Sequence, residues 1–453
     1  MKFNIKSYFG DKDFYKQIAG IAVPIMAQQF VTSFVNLIDN VMVGGLGQAA
    51  LTAVSVSNRY YMIAYSLLFG IGGAAGIYIS QNYGAGKNER CQKLFNINLV
   101  WSILVMAAFN AVLFFAPRWT LELFSKTPQI IDLGMDYVEF VRYTYVPCGI
   151  TMACMMGMRA IGINKVQLKI GIITVLTNSV LNYILIYGKF GAPAMGVKGA
   201  AVATLIARLL EMCIYITLLV RKRHFYKLDI IGCLKLDSEL MKTMLSKAIP
   251  LTANEVFFSV GMSLVFKSYM RIDEMLVAAI SVVDTVMNLA FIVFGGLSSA
   301  VAIFIGGKLG AGKLQEAKDD AKRIIVFGMM IAASLGVVMF IVAPYIHHLY
   351  TLSDEAIRAL EVLVRIKSML LPIYVINVCA FFILRSGGDT WSTLIMDSGF
   401  LWIGPVAVSS VLSLFTQIDL VTLYISVELL DLIKMFIAFV FLKQGKWVKN
   451  LAE

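Results

Sequence analysis

The chain has 453 residues, of which 59% are hydrophobic and only 15% are charged, and its mean hydropathy is +0.79. Apolar runs of about 20 residues, long enough to cross a bilayer, cover most of it and exclude a soluble catalytic domain. The net charge of +11 does not indicate nucleic-acid binding, because the basic residues form no separate basic domain. No cysteine lies in a CxxC pair, so we expect no disulfide or zinc framework. The sequence contains no constellation typical of a nucleophile or a metal centre, so we expect no cofactor and no enzyme, and the one metal left open is a sodium ion at Asp39.

Twelve apolar segments are predicted to be membrane-spanning helices, because a lipid-exposed backbone must satisfy its hydrogen bonds internally. The polar and basic start of the chain, up to Lys16, does not resemble a cleavable signal peptide. In chain order, the predicted spans are residues 17–43, 51–82, 93–116, 133–157, 166–188, 197–221, 243–268, 276–307, 322–345, 357–383, 391–415 and 420–442.

The sequence repeats itself at an offset of 226 residues. Residues 53–87 align without a gap with residues 279–313, with 12 identities in 35 positions, and Pro24 aligns with Pro250. A duplication in so apolar a chain is typical of secondary transporters. With six spans per copy, the two repeats enter the membrane in the same direction. The predicted domains are an N-terminal lobe (1–222), a cytoplasmic linker (223–242) and a C-terminal lobe (243–453).

Lysine and arginine are distributed unevenly between alternate loops. The two tails and the even-numbered loops contain 26 of the 39, whereas the odd-numbered loops contain six. Under the positive-inside rule, the side richer in these residues is cytoplasmic. We therefore expect a multi-pass protein of the inner (plasma) membrane with both termini in the cytoplasm.

Several charged residues lie inside the predicted spans, where each requires a partner or a cavity. Many of them are expected to form structural ion pairs on one helix face, at i,i+3 spacing. The candidate pairs are Glu139 with Arg142, Arg208 with Glu211, and Asp431 with Lys434.

Asp39 has no basic neighbour in its own helix, and Asn36 precedes it by one turn. The fixed rise of a helix places Asn178 and Asn182 of the fifth span at about the same depth, together with Thr204 of the sixth. A carboxylate, amides and a hydroxyl at one depth favour a coupling site for a proton or a small hard cation. The amides can also be read as hydrogen bonds between helices.

The second half offers its own candidates. Glu255 lies near the middle of the seventh span, beside Asn254, with no basic residue within a turn. We predict a coupling or substrate role in the C-terminal lobe for this pair, together with Asp284 and Asp397. In the first span, Pro24 predicts a hinge, because an internal proline removes a backbone hydrogen bond.

At these residues the chain resembles the multidrug and toxic compound extrusion (MATE) family. The resemblance rests on residues 39–47 (DNVMVGGLG), 53–55 (AVS), the amide pair Asn178 and Asn182, and, in the second half, Pro250, Asn254, Glu255, residues 385–390 (RSGGDT), Asp397 and Gly404-Pro405. It covers essentially the whole chain.

The resemblance implies an all-α integral membrane protein whose twelve helices form two six-helix lobes, arranged as a V around a central cavity. It also implies export of organic cations or drugs in exchange for protons or sodium. It further implies that Asp39 is the coupling carboxylate and that the first helix bends at Pro24. Some members use an acid in the tenth helix, where this chain has Glu361 near the outer end, so Glu255 is the better candidate here.

The favoured function is therefore a secondary antiporter that works by alternating access as a monomer in the bilayer, on a small organic cation or drug. A proton is favoured over sodium as the coupling ion, because protonation needs only one carboxylate whereas sodium prefers five or six oxygens. The alternative is a flippase for lipid-linked saccharides, whose anionic cargo would require basic residues in the cavity. Candidates for that role are Arg59, Arg142, Arg365 and Lys367.

Overall fold

A computed structural model describes residues 9–221, 226–273, 277–349 and 354–452. Within these ranges the regular secondary structure is helical throughout, which confirms the all-α class. The apolar composition explains this outcome, since a helix satisfies every internal backbone group without water.

Each of the twelve predicted spans coincides with a helix in the described part of the chain. The first six are α1 (Lys12–Gly44), α2 (Gln48–Gly84), α3 (Asn88–Phe115), α4 (Pro128–Val141, the 3₁₀ turn Arg142–Thr144 and Tyr145–Ala160), α5 (Asn164–Tyr187) and α6 (Val197–Val220). The second six are α7 (Ser238–Ile272), α8 (Val277–Gly310), α9 (Leu314–Val342), α10 (Asp354–Ser386), α11 (Thr390–Phe415) and α12 (Leu420–Gln444). Short helices at Pro117–Glu122 and Ile230–Leu234, and a 3₁₀ segment at Ala343–Leu349, lie between them.

By length and composition, nine of the described helices are able to cross a membrane, namely α2, α3 and α5 to α11. The fourth helix is divided by its 3₁₀ turn. The twelfth carries Glu428, Asp431 and Lys434 in its central part. These two helices, α4 and α12, and the first helix, α1, are the remaining three of the twelve predicted spans.

The duplication seen in the sequence is repeated in the backbone. Gly86 and Gly312, which are related by the repeat offset, have φ angles of +74° and +75° after the ends of α2 and α8. Gly162 and Gly388, also related by the offset, have φ angles of +80° and +73°. Glycine adopts this left-handed conformation without steric cost. The same residue type therefore ends the same helix in both copies.

The helices group into two compact units. One, called here the C-terminal unit, contains the described chain up to Met26, Ser80–Gly86 and the described chain from Ala253 onward. The other, the N-terminal unit, contains Ala27–Ile79 and the described part of Lys87–Thr252. The lobes predicted at 1–222 and 243–453 count repeats along the chain, whereas these units group residues that pack together.

Three helices, α1, α2 and α7, each belong to both units, and α2 changes unit between Ile79 and Ser80. The first changes unit between Met26 and Ala27, and the seventh between Thr252 and Ala253. The positions in α1 and α7 are related by the repeat offset, and each change there comes two residues after a proline, Pro24 or Pro250.

Packing of aromatic rings and backbone explains this division. In the C-terminal unit, the ring of Phe14 lies edge-on to Phe304 with centroids 5.7 Å apart, and Tyr15 contacts Phe327 at 4.9 Å. In the N-terminal unit, the hydroxyl of Tyr78 donates to the carbonyl of Thr243, at 3.4 Å, near the start of α7.

Close contact between α3 and α4 predicts a sensitive glycine. A Cβ on Gly149 would lie 2.7 Å from the carbonyl oxygen of Ser102, which is backbone and cannot turn away. We expect Gly149→Ala to destabilise the protein by about 1–3 kcal/mol, the usual effect of overpacking. The measurement is thermal unfolding of the purified protein in detergent.

Gly76, in α2, supplies the matched control, because a Cβ there meets nothing within 4 Å. Gly76→Ala should leave the melting temperature unchanged or raise it, since alanine favours a helix over glycine. Equal melting temperatures for the two variants would contradict the close contact.

Candidate functional site

The structure brings Asp39 of α1 together with the amides of α5. The side-chain Nδ2 of Asn182 donates to Oδ1 of Asp39 at 2.8 Å and to Oδ1 of Asn178 at 3.3 Å. Both asparagines are buried, with 2% of Asn182 and 9% of Asn178 exposed. The meeting of these three side chains, expected from their depths, is therefore present.

The amide of Asn182 faces Asp39 with its donor end. Its Oδ1 is buried and has no hydrogen-bond partner among the residues that the structure describes. Because a primary amide carries both donors and an acceptor, rotation of this side chain would exchange the group that faces the carboxylate.

Asp39 forms no ion pair with any described residue. In the same unit, Arg208 is bound to Glu211 at 2.8 Å, and Lys198 is bound to Asp136 at 3.3 Å. A carboxylate at membrane depth without a cationic partner is the feature that most distinguishes this unit.

The other predicted members of the site are Thr204 and Asn36, and Thr204 makes no hydrogen bond to Asp39 in the described part of the chain. The hydroxyl of Thr204 donates to the carbonyl of Ala200 within α6, at 2.9 Å. Tyr137 of α4 approaches Thr204 and Asn58 and lies within electrostatic range of Asp39. The sequence analysis missed Tyr137, since no motif surrounds it. The side chain of Asn36 lies outside the described residues.

Pro24 lies buried inside α1, which continues as one helix on both sides of it. The proline has no N–H to donate to the preceding turn, so this is the weakest point in the backbone ladder of the helix. Its role as a hinge stays a prediction.

A second polar centre lies in the C-terminal unit, around Asp397 of α11. Oδ1 of Asp397 accepts from the Lys434 ammonium group at 2.6 Å, and Oδ2 accepts from Nδ2 of Asn254 at 3.1 Å. Oδ1 of Asn254 in turn accepts from the hydroxyl of Ser398, at 2.7 Å. Three helices, α7, α11 and α12, therefore meet at one carboxylate.

The backbone of α11 is unusual at this point. Residues Ile395–Gly399, which include Asp397, and Trp402–Val406, which include Pro405, form two π-helical segments. Such segments are rare and are often found at functional sites. In the first repeat, the aligned helix α5 is regular and has Gly171 at the position of Asp397.

Glu255 also has a partner. Its carboxylate lies 3.6 Å from the guanidinium group of Arg385 on α10, whose side chain is 7% exposed. No basic residue lies within a turn of Glu255 along its helix, so the sequence did not indicate this pair. Asp284, on α8, is exposed and lies within electrostatic range of Lys367 and Glu428.

Lys367 and Glu428 form a further ion pair between α10 and α12. This pair lines a small pocket in the C-terminal unit, next to Asp431, Tyr374 and Met287. Asp431 makes no side-chain hydrogen bond or ion pair in the described part of the chain.

One of the three predicted same-helix ion pairs is present, namely Arg208 with Glu211. The other two predictions are wrong. Glu139 binds Lys198 of another helix at 3.4 Å, and Lys434 binds Asp397. In both cases a contact with a neighbouring helix takes the place of the contact along one helix.

The chain matches the model of the MatE family over residues 24–184 and 250–406. It is 24% identical over 419 residues to the probable multidrug resistance protein YoeA of Bacillus subtilis, an alignment that covers 91% of this chain and 89% of that one. It is 21% identical over 449 residues to the probable multidrug resistance protein NorM of Thermotoga maritima, covering 96% and 93%.

Solved structures agree in fold. A transporter of the MOP superfamily from Pyrococcus furiosus superimposes with a TM-score of 0.86 at 18% identity and covers 98% of each chain. A variant of the Vibrio cholerae MATE transporter VcmN superimposes with a TM-score of 0.88 at 18% identity and covers 99% of each chain. The family model spans both repeats and the polar residues around Asp39, Asn254 and Asp397, and the chain therefore belongs to the MatE family of multidrug and toxic compound extrusion transporters.

Proposed function

We propose that this protein is a secondary antiporter of the plasma membrane that exports small organic cations or drugs in exchange for protons, by alternating access. The observation that carries the proposal is the carboxylate of Asp39, which lies at membrane depth without a basic partner among the described residues and contacts the amide of Asn182. Relatives named as multidrug resistance proteins support the class of substrate.

The energy of a buried carboxylate explains why Asp39 must exchange its charge. An acidic residue at a helix centre costs about 2.5–3.5 kcal/mol on insertion scales. In the C-terminal unit, Asp397 is compensated by Lys434 and Glu255 by Arg385. Asp39 has no such partner among the residues that the structure describes, so binding of a proton or a cation removes an unfavourable charge.

The orientation of Asn182 favours a proton over sodium. Its Nδ2 donates to oxygens of both Asp39 and Asn178, and these are two of the oxygens that a sodium ion would need as ligands. A cation at this point would face an amide N–H₂ group. A proton needs only one carboxylate oxygen.

Protonation of Asp39 changes the hydrogen bond that Asn182 can make. The ionised carboxylate accepts from Nδ2, whereas the neutral acid can donate to Oδ1, which is buried and unbonded within the described residues. The amide then turns over, and the contact between α1 and α5 changes. Bending of α1 at Pro24 is the response that we assign to this change.

In the C-terminal unit, we assign the substrate cation or a second proton to the centre formed by Asp397, Asn254 and Glu255, and we keep Asp284, near Lys367 and Glu428, as a further candidate. A cationic substrate binds there by replacing the ammonium of Lys434 or the guanidinium of Arg385 beside its carboxylate. The π-helical backbone around Asp397 supports a functional role for this centre.

The alternative cargo, an anionic lipid-linked saccharide, is less well supported. Of the basic residues on which it would depend, Lys367 binds Glu428 and Arg365 binds Glu361 at 2.7 Å. Arg142 lies over the ring of Phe114, at 4.7 Å. Basic side chains that are already paired with an acid or stacked on a ring attract an anion weakly.

The cytoplasmic location of both termini and the monomeric state remain proposals as well.

Asp39→Asn is expected to reduce gradient-driven export of a fluorescent organic cation to background, because the amide cannot be charged and discharged. Expression and thermal stability should stay near wild type, since asparagine keeps the hydrogen bond with Asn182. The assay is dye efflux from proteoliposomes. Asp136→Asn, an exposed carboxylate of the same unit, is the matched control, and wild-type export by Asp39→Asn would refute the assignment.

The coupling ion is identified by imposing one gradient at a time. Proteoliposomes with a proton gradient and equal sodium on both sides should accumulate the cation against its gradient. A sodium gradient at equal pH should not drive accumulation. Sodium-driven transport at fixed pH would overturn the choice of the proton and would leave the antiport proposal in place.

Variants of the Asp397–Lys434 ion pair distinguish an effect on stability from an effect on transport. Asp397→Asn leaves the Lys434 ammonium buried and unpaired, and we expect a loss of about 3–5 kcal/mol of stability together with loss of transport. The double variant Asp397→Asn/Lys434→Met should regain stability without regaining transport. If the double variant transports normally, the pair is only structural.

A further inference from the structure

The buried face of α5 is polar along most of the helix. Seven residues of α5 are buried, and five of them carry an amide or a hydroxyl. They are Asn164, Gln167, Thr174, Asn178 and Asn182, and the other two are Ile170 and Ile186. A membrane helix normally packs apolar or small residues against its neighbours, so this face requires another explanation.

Helical geometry places these residues on one face, with the apolar Ile170 between Gln167 and Thr174. The spacings between successive polar residues are close to multiples of the helical period, which places them on one side of the helix. From Asn164 to Asn182 the helix rises by about 27 Å, a distance close to the thickness of the hydrocarbon core. The polar face therefore runs from the first turn of α5 to the side chain that contacts Asp39.

Several polar atoms on this face are buried without a hydrogen-bond partner in the described ranges. They are both side-chain polar atoms of Asn164, Oε1 of Gln167 and Oδ1 of Asn182. Oε1 of Gln28 on α1 has none either, and Cγ and Nε2 of the same side chain lie 3.6 and 3.8 Å from the Cβ position of Gly171 on α5. Buried polar groups of this kind are usually satisfied by water.

The second repeat shows that the fold itself does not require so long a polar face. The positions in α11 that correspond to Thr174, Asn178 and Asn182 are Phe400, Gly404 and Val408. The buried polar residues of α11 before its first π-helical segment are Thr390, Ser392 and Thr393, and Ser398 lies inside that segment, next to Asp397. Beyond Ser398, Ser409 is the one buried polar residue of α11 among those that the structure describes, so the two helices differ mainly in the stretch that follows.

We propose that the polar face of α5, with Gln28 of α1, holds a chain of water molecules that carries protons between Asp39 and the end of α5 at Asn164. This inference rests on the proposed exchange of drug for protons. The positive-inside rule assigns the Asn164 end to the cytoplasm, so the path delivers the proton to that side through the interior of the N-terminal unit.

Thr174 is the residue on which the path depends most. It lies between Gln167 and Asn178, and its hydroxyl, 7% exposed as a residue, donates to the carbonyl of Ile170 at 2.9 Å. The oxygen lone pairs remain available to accept from water. Amides orient water molecules, and the water molecules transfer the proton.

The competing explanation is a set of direct hydrogen bonds between helices. Nε2 of Gln167 does donate to the carbonyl of Met155, at 2.7 Å, and Nε2 of Gln28 approaches the sulfur of Met155 at 3.8 Å. Both bonds use the donor end of the amide and leave its oxygen unbonded within the described residues. Interhelical bonding therefore accounts for only half of these groups.

The test uses Thr174→Val, which keeps the shape of the side chain and removes the hydroxyl, and Gln167→Leu. Full-length protein is reconstituted in proteoliposomes with a trapped pH-sensitive dye, and proton flux is measured after adding an organic cation substrate. Both variants should slow proton flux by about tenfold, a barrier increase of about 1.4 kcal/mol, while the affinity for the substrate stays unchanged.

Two variants control for packing. Thr174→Ser keeps a hydroxyl and should retain the wild-type rate. Thr177→Val makes the same chemical change on the same helix, at a residue outside the buried face, and should also retain it. Wild-type flux in Thr174→Val and Gln167→Leu, or equal slowing in Thr177→Val, would overturn the path. Absence of proton flux in the wild-type protein would instead overturn the proposed function, and the path with it.

Discussion

An unpaired carboxylate in an apolar environment is the constraint on which the rest of this molecule depends. The two repeats share a backbone, yet their charges have diverged. At the repeat offset, Asp39 of the first repeat corresponds to Val265 of the second. In the other direction, Glu255 corresponds to Gln29, Asp397 to Gly171 and Lys434 to Arg208. The second repeat places Glu255 and Asp397 each beside a base. The first leaves Asp39 to an amide, so one unit is suited to changing its charge and the other to exchanging partners.

The sequence was sufficient to predict the helices and their duplication, because the requirement for internal hydrogen bonds in lipid dominates every local preference. It was also sufficient for the contact of Asp39 with Asn182, since the rise of a helix fixes the depth of each residue. It could not predict that Lys434 binds Asp397 and not Asp431. That choice depends on the lateral packing of α11 against α12 and on a π-helical turn, neither of which is encoded in the spacing of charges along one helix.

The division of α1 between two packed units was also outside the reach of sequence periodicity. Repeats are counted along the chain, whereas packing follows whichever apolar surface is adjacent, as Phe14 on Phe304 illustrates. The position of the change was nevertheless marked by Pro24, as it is by Pro250 in α7. A helix that belongs to both units cannot alter its course at this proline without repacking in each of them. Asp39, to which we assign the change of charge, lies on the same helix.

Asn182 connects these features. Its donor end is bound to Asp39, its acceptor end is unbonded among the described residues, and it is the last polar residue of the α5 face. In the mechanism that we propose, this amide turns over when the carboxylate changes its charge, and the same rotation changes which of its atoms faces the polar path. Proton transfer and helix contact are then coupled through a single side chain. A carboxylate paired with lysine, as at Asp397, would lack this property, because a lysine ammonium donates in every orientation.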